Sequence, residues 1–188
     1  MIPACTRFIE RNFSKSNFLV NLYGLYYKSI VRNEVKLANI KKSDKVLCIG
    51  GGPIPSTAIE VVKQTDANVH VIDMDRKAVE YARNVVKRLG LDHKIVVDQD
   101  RGEEVDISPY NVIHVALQVT PKDKVLNHIW SNCKMGDRII VRMPKKGLRH
   151  FYSNVTEGFI NRYSNYIKFI SPRLNANTLD KILLMVKG

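Results

Sequence analysis

The apolar run Lys45-Val46-Leu47-Cys48-Ile49, followed at once by Gly50-Gly51-Gly52-Pro53, constrains this chain more than any other feature. A continuous apolar run of this length suits a central strand buried on both faces of a parallel sheet. Glycine then permits a tight turn, and its missing side chain leaves room for a ligand. A predicted helix from Ser56 to Lys63 follows. Its free N–H groups point at the turn and favour negative charge there. Strand, glycine turn and helix in this order open a doubly wound α/β sheet.

The rest of the chain alternates in the same manner. Residues 16–39 are predicted helical, with Leu19, Tyr23, Tyr26, Ile30, Glu34 and Leu37 on one mostly apolar stripe. Further strands are predicted at Val69–Ile72, His93–Val97, Val112–Leu117 and Arg138–Val141. Helices are predicted at Arg76–Leu89, stopped by Gly90, and at Lys122–Cys133, with Gly136 closing that segment. Val155–Asn161 reads as a short helix. Tyr166–Ile170 and Lys181–Val186 read as two strands joined by a turn-rich loop, hence an antiparallel pair. The expectation is a Rossmann-like sheet of five parallel strands plus a C-terminal antiparallel hairpin. Residues 1–42 form an N-terminal helical extension and residues 43–188 the ligand-binding domain.

Bulk properties narrow the class. The chain has 188 residues, enough for one domain with a sizeable core. The most apolar stretch, Phe18–Tyr27, falls far short of the ~18 residues a membrane span needs. Arg7, Glu10, Arg11 and Lys15 break up any secretory pattern, so the protein reads as cytoplasmic and not membrane-bound. Cys5, Cys48 and Cys133 are odd in number and far apart, which argues against a disulfide framework. The five histidines show no metal-ligand spacing, so no metal is expected. Net charge is +12, with the excess concentrated in residues 1–45 and 134–149. A solvated basic face explains this, and weak nucleic-acid binding stays open beside it.

The cofactor site is read around the turn. A nicotinamide fingerprint needs a third glycine, and Pro55 stands in its place. Pro53 and Pro55 stiffen the turn for one ligand shape. The reading is S-adenosylmethionine (SAM) at Gly50, Gly52 and Pro53. Asp73 closes the second strand, with Met74 next to it, where a carboxylate accepts hydrogen bonds from ribose hydroxyls. A helix cap is the competing role for Asp73, and Asp75 fits that role better. In Asp98-Gln99-Asp100, either Asp98 or Asp100 is placed to meet the adenine amino group. Ala116 at the end of strand four faces the ligand at the carboxyl edge of the sheet.

The stretch Gly50-Gly51-Gly52-Pro53-Ile54-Pro55-Ser56-Thr57-Ala58-Ile59 resembles the glycine-proline turn of nicotianamine synthases. A second match runs from Val141-Arg142 through Gly147, Arg149 and Phe151-Tyr152. A third lies in the helix before strand one, with Tyr27, Glu34 and Leu37. The resemblance implies transfer of the 3-amino-3-carboxypropyl group of SAM to an amine or amino-acid acceptor, with methylthioadenosine released. It implies Tyr27 as the catalytic tyrosine, and Glu34, Arg142 and Arg149 as acceptor-binding groups. Arg142 and Arg149 read equally as part of a surface charge run with Lys145 and Lys146. From the residues alone Tyr27 reads first as a core aromatic; as a catalytic group it acts as a hydrogen-bond relay, or as a base only if basic neighbours depress its pKa from about 10. Only about 20 residues precede the match, so most of the family's helical domain is expected to be missing. A second subunit is one way to complete the acceptor chamber. Methyl transfer to a small molecule, and SAM or RNA binding without turnover, are the alternative functions.

Overall fold

The computed structural model describes residues 17–148, 151–170 and 179–188. Glu10, Arg149 and the predicted loop at Ser171-Pro172 and Asn175-Ala176-Asn177 lie outside the described residues.

Seven strands form one sheet in the order β3-β2-β1-β4-β5-β7-β6. The parallel set is β1 (Lys45–Ile49), β2 (Asn68–Asp73), β3 (Ile95–Gln99), β4 (Val112–Val115) and β5 (Arg138–Pro144). β6 (Ile167–Ile170) and β7 (Leu179–Val186) run antiparallel, with β7 between β5 and β6. The expected sheet is therefore present. The strand order reverses beside β1, and doubly wound sheets bind ligands at such a point, outside the carboxyl ends of the strands.

Alternation along β1 splits the core in two. Val46 and Cys48 face one layer with Val20, Ile30, Ala58 and Val85. That layer lies beneath α1 (Asn17–Leu37), α2 (Ser56–Thr65) and α3 (Arg76–Arg88). Leu47 and Ile49 face the other layer with Leu126, Trp130 and Phe159, beneath α4 (Lys122–Asn132) and α5 (Glu157–Arg162). No helix among the described residues is long and apolar enough to cross a membrane.

Several boundaries differ from the sequence reading. β3 begins at Ile95 rather than His93, because Lys94 and Ile95 both bond back to the Leu91 carbonyl in a turn after Gly90. β4 ends at Val115 rather than Leu117, because the Ala116 and Leu117 carbonyls turn away from the ladder to Lys122. β5 continues to Pro144 because β7 pairs along its whole length. On α1 the buried face carries Tyr27 packed against the core, as its core reading had it, while Tyr26, placed on the predicted apolar stripe, is 40% exposed.

Candidate functional site

The three glycines serve different physical needs. Gly50 and Gly52 adopt φ of +81° and +64°, a region that side chains other than glycine's rarely enter. Gly51 is pressed onto β2, where an added Cβ would sit 2.1 Å from Val71 Cγ1. A Cβ on Gly50 would meet Val119 Cγ2 at 2.7 Å. The protein itself fills the space above Gly50 and Gly51, which corrects the expectation that their missing side chains make room for a ligand.

Two cavities open on either side of this turn, of about 330 and 320 Å³. They share Ile49, Gly50, Gly52, Gln118 and Tyr152. The first is acidic: Asp73, Asp75, Asp100 and Glu103 line it, together with Pro53 and Met74. Among the described residues, no aspartate or glutamate lines the second; Tyr27, Ser56, His114 and Arg142 do, with the first turn of α2.

Asp73 is already tied to the fold. Its Oδ2 accepts from the Gly52 N–H at 2.8 Å and its Oδ1 from the Asp75 N–H at 2.9 Å. One carboxylate thus braces the glycine turn and the end of β2, and each oxygen keeps a further lone pair for a ligand hydroxyl. Asp75 is the α3 N-cap, accepting from the Lys77 and Ala78 N–H groups. Asp98 is taken by His70 Nε2 at 3.0 Å and Arg83 Nη2 at 2.7 Å, and it lines neither cavity. Asp100 lines the acidic one. Gly102 follows it closely, and a Cβ there would strike Ile49 Cγ2 at 2.6 Å.

The second cavity is backed by a buried ionic cluster. Arg142 donates from Nε and Nη2 to Oε1 and Oε2 of Glu34, both at 2.7 Å. The two residues are 5% and 1% exposed. His114 Nε2 lies 3.4 Å from the same carboxylate. Burial would raise the Glu34 pKa, but Arg142 and His114 hold it at about 2. Burial lowers that of His114, which favours the neutral ring. Burial likewise pushes the Cys48 thiol up to about 12, so this cavity residue is no thiolate nucleophile. The Arg142 guanidinium stands over the Tyr27 ring, 5.2 Å from its centroid. That distance fits a cation–π contact, which fixes the tyrosine at the cavity wall.

A third buried charge shapes the loop after β4. Lys122 is fully buried, and its Nζ donates to the carbonyls of Ala116, Leu117 and Val119 at 3.1, 3.0 and 3.3 Å. All three ammonium protons are thus used to fold back the loop that places Gln118 between the cavities.

The structure brings Gly50, Gly52, Pro53, Asp73, Met74, Asp100 and Ala116 to the walls of these two cavities. Tyr27 and Arg142 meet on the second. Arg142 is not part of a surface charge run, and its fork is occupied by Glu34 rather than open to an acceptor. Glu34 lines neither cavity, so it stands behind the site rather than in it. Sequence reasoning passed over His114, Ser56 and Lys122. A polar residue inside the apolar strand Val112–Val115 was a signal for His114. Nothing in the sequence distinguishes Lys122 from a surface lysine.

Residues 15–181 match the family described as nicotianamine synthase protein. The chain is 31% identical over 127 residues to an L-histidine 2-aminobutanoyltransferase of Yersinia pestis, covering 68% of this chain and 47% of that protein. A protein of the same name from Pseudomonas aeruginosa is 29% identical over 114 residues, covering 60% and 43%. The chain thus spans about half the length of these curated relatives. Among solved structures, a mutant of MtNAS in complex with S-adenosylmethionine superposes with a TM-score of 0.77 at 21% identity, over 97% of this chain and 72% of that one. A putative S-adenosyl-L-methionine-dependent methyltransferase from Methanococcus maripaludis gives 0.69 at 14% identity, over 96% and 93%. At these identities the superpositions speak for the fold.

Proposed function

This chain belongs to the nicotianamine synthase family, and from that premise we propose that it transfers the 3-amino-3-carboxypropyl group of SAM to an amine acceptor. One observation carries this reading: the polarity of the two cavities matches the two ends of SAM. Ribose hydroxyls and the adenine amino group are donors, and the cavity with Asp73 and Asp100 offers acceptors. The amino-acid arm ends in a carboxylate, and the cavity lined by the first turn of α2 offers donors. The cavities meet at Gly50 and Gly52, where the sulfonium would lie between them.

Bound SAM supplies a sulfonium that activates each of its attached carbons. The residues select which one is approached in line. The neutral acceptor amine forms a C–N bond to the terminal methylene of the arm. The C–S bond breaks, and its electron pair passes to sulfur, giving neutral methylthioadenosine. The new ammonium gives up one proton to the oxygen of Tyr27, which lines the arm's cavity, as the tyrosine passes its own hydroxyl proton to solvent water. Arg142 positions Tyr27, and Glu34 positions Arg142. In this reading residues 1–42 are the extension that supplies Tyr27 and Glu34, and residues 43–188 are the cofactor domain. The acceptor is an amino acid, and the relatives' names make L-histidine the first to try.

The test is incubation with SAM and L-histidine or other amines, followed by mass spectrometry of the nucleoside product. Methylthioadenosine is expected. S-adenosylhomocysteine would reject the proposal in favour of methyl transfer.

A further inference from the structure

The helical layer of α1, α2 and α3 exposes charge of almost one sign. Glu34 on α1 and Glu60 on α2 are buried, at 1% and 5% exposure. Glu80 on α3 is the one exposed carboxylate among the described residues of these helices, and Arg76 Nε donates to it at 3.3 Å. The bases instead point outward. α1 exposes Lys28, Arg32 and Lys36, α2 exposes Lys63, and α3 adds Lys77 and Lys87 among others. The opposite layer is mixed, with Asp123 beside Lys124 on α4 and Glu157 with Arg162 on α5. Part of the chain's +12 surplus is thus concentrated on one side.

Lys28, Arg32 and Lys36 recur every four residues, so they form one stripe on α1, in steps of about 6 Å along its axis. None of the three side chains has an ion pair or hydrogen bond with a described residue, and neither do those of Lys77 and Lys87. Like charges at this spacing destabilise a helix, and an anion from outside would offset the repulsion. The surface also narrows the class of anion. Among the described residues, α2 and α3 expose no large apolar side chain, and on α1 only Leu25 and Tyr26 do, ahead of the stripe. A protein interface has an apolar centre and is poor in lysine. A helix lying on a membrane keeps its apolar face for the lipid, whereas here the apolar faces pack into the core. Single-stranded nucleic acid is held by exposed aromatic rings on which its bases stack. The phosphates of a duplex need only an array of cations.

We infer that the face of α1, α2 and α3 binds the phosphate backbone of a nucleic-acid duplex, with Lys28, Arg32 and Lys36 as its principal contacts and without reading base sequence. The surface is separate from the two cavities, since none of these three side chains lines either of them. It goes beyond the transferase reading and does not depend on it. Each phosphate neutralised by a lysine or arginine releases condensed counterions, so the binding weakens as salt rises.

Fluorescence anisotropy with a labelled DNA duplex of about 20 base pairs, read across a salt series, tests it. The triple variant Lys28→Gln, Arg32→Gln, Lys36→Gln is expected to lose at least about tenfold in affinity at about 0.1 M salt. Its slope of log affinity against log salt should be shallower by about 3. A second triple variant, Lys124→Gln, Lys134→Gln, Arg162→Gln, removes the same charge from exposed positions on the opposite layer and its edge. It is expected to keep the affinity within about threefold. Thermal unfolding midpoints close to that of the unsubstituted protein show that both variants are folded. Equal losses in the two variants would make the binding an effect of net charge and overturn the assignment. Absence of duplex binding by the unsubstituted protein at about 0.05 M salt would overturn it as well. So would tighter binding of the single strand of the same sequence, or retention on phosphatidylserine vesicles with the duplex in excess.

Discussion

Arg142 and Glu34, 108 residues apart in sequence, close a two-pronged hydrogen bond inside the core, with both arms at 2.7 Å. The pair joins α1 to β5 behind the cavity that Tyr27 lines. Glu34 is held at about 2 against an ordinary value of 4.5. A carboxylate depressed in the folded state stabilises fully above its unfolded pKa and loses that contribution as pH falls through the folded value. The contribution is worth about 3 kcal/mol and should disappear between about pH 4.5 and pH 2. Urea unfolding across that range should show a falling midpoint that Glu34→Gln lacks. At pH 7 the variant should be less stable by about 3–5 kcal/mol, because Arg142 keeps its buried charge without a counter-charge. An unchanged acid slope in the variant would remove Glu34 from this role.

The carboxylates near the glycine turn should separate by function. Asp73 accepts the Gly52 and Asp75 N–H groups and faces the acidic cavity. Asp73→Asn turns an amide N–H₂ toward one of those donors and removes an acceptor. Methylthioadenosine affinity should fall about tenfold or more. Asp98 is spent on His70 and Arg83, so Asp98→Ala should leave that affinity unchanged. Asp100→Ala should weaken it by less than Asp73→Asn does. Calorimetry with methylthioadenosine alone makes the comparison, and equal effects at Asp73 and Asp98 would contradict it.

The sheet and the glycine turn were legible because their signals are local. An apolar run, then glycines, then a helix start is written in adjacent residues, and Gly50 to Pro53 border the two cavities. The place of Asp73 at the end of β2 was legible for the same reason. The basic residues were not. Arg142 was read as an acceptor-binding group or part of a surface charge run, and Lys122 only as the start of a helix, yet both are buried. What buries Arg142 is Glu34, on a helix far away in sequence, and no spacing rule announces that partner. Lys122 is buried by carbonyls, which every residue carries. Tyr26 was misplaced on the apolar stripe because neighbouring positions fit a helical period within one step. Packing of α1 on α2 and the contact with Arg142 decide it.

Lys122 should prove costly to remove. Its Nζ holds three loop carbonyls, and burial pulls its pKa down to about 7 from 10.5. Between those values the unfolded chain binds the proton more fully than the folded one, so stability should rise with pH from about 7 to 10.5. Lys122→Met should flatten that rise. At neutral pH it should also lower stability by about 1–3 kcal/mol, since three carbonyls lose their donor. Denaturant midpoints at about pH 7 and about pH 9.5 for both proteins provide the check. A parallel pH dependence in the two would assign the slope to another group.

Tyr27 and Tyr26 are neighbours in sequence, with rings meeting edge to face at 5.3 Å, and this makes each the control for the other. Tyr27 packs on the core and lies beneath the Arg142 guanidinium; Tyr26 is 40% exposed at the cavity edge. Removing only the hydroxyl leaves the ring packing and the cation–π contact in place. Tyr27→Phe should therefore keep SAM affinity within about twofold and lower kcat by about 100-fold or more, the usual scale for a lost proton-transfer group. Tyr26→Phe should leave both nearly unchanged. Methylthioadenosine release under saturating SAM measures kcat, and calorimetry measures affinity. If Tyr27→Phe turned over at the unsubstituted rate, the acceptor's proton would have to leave by another group, and Tyr27 would be only a wall of the cavity.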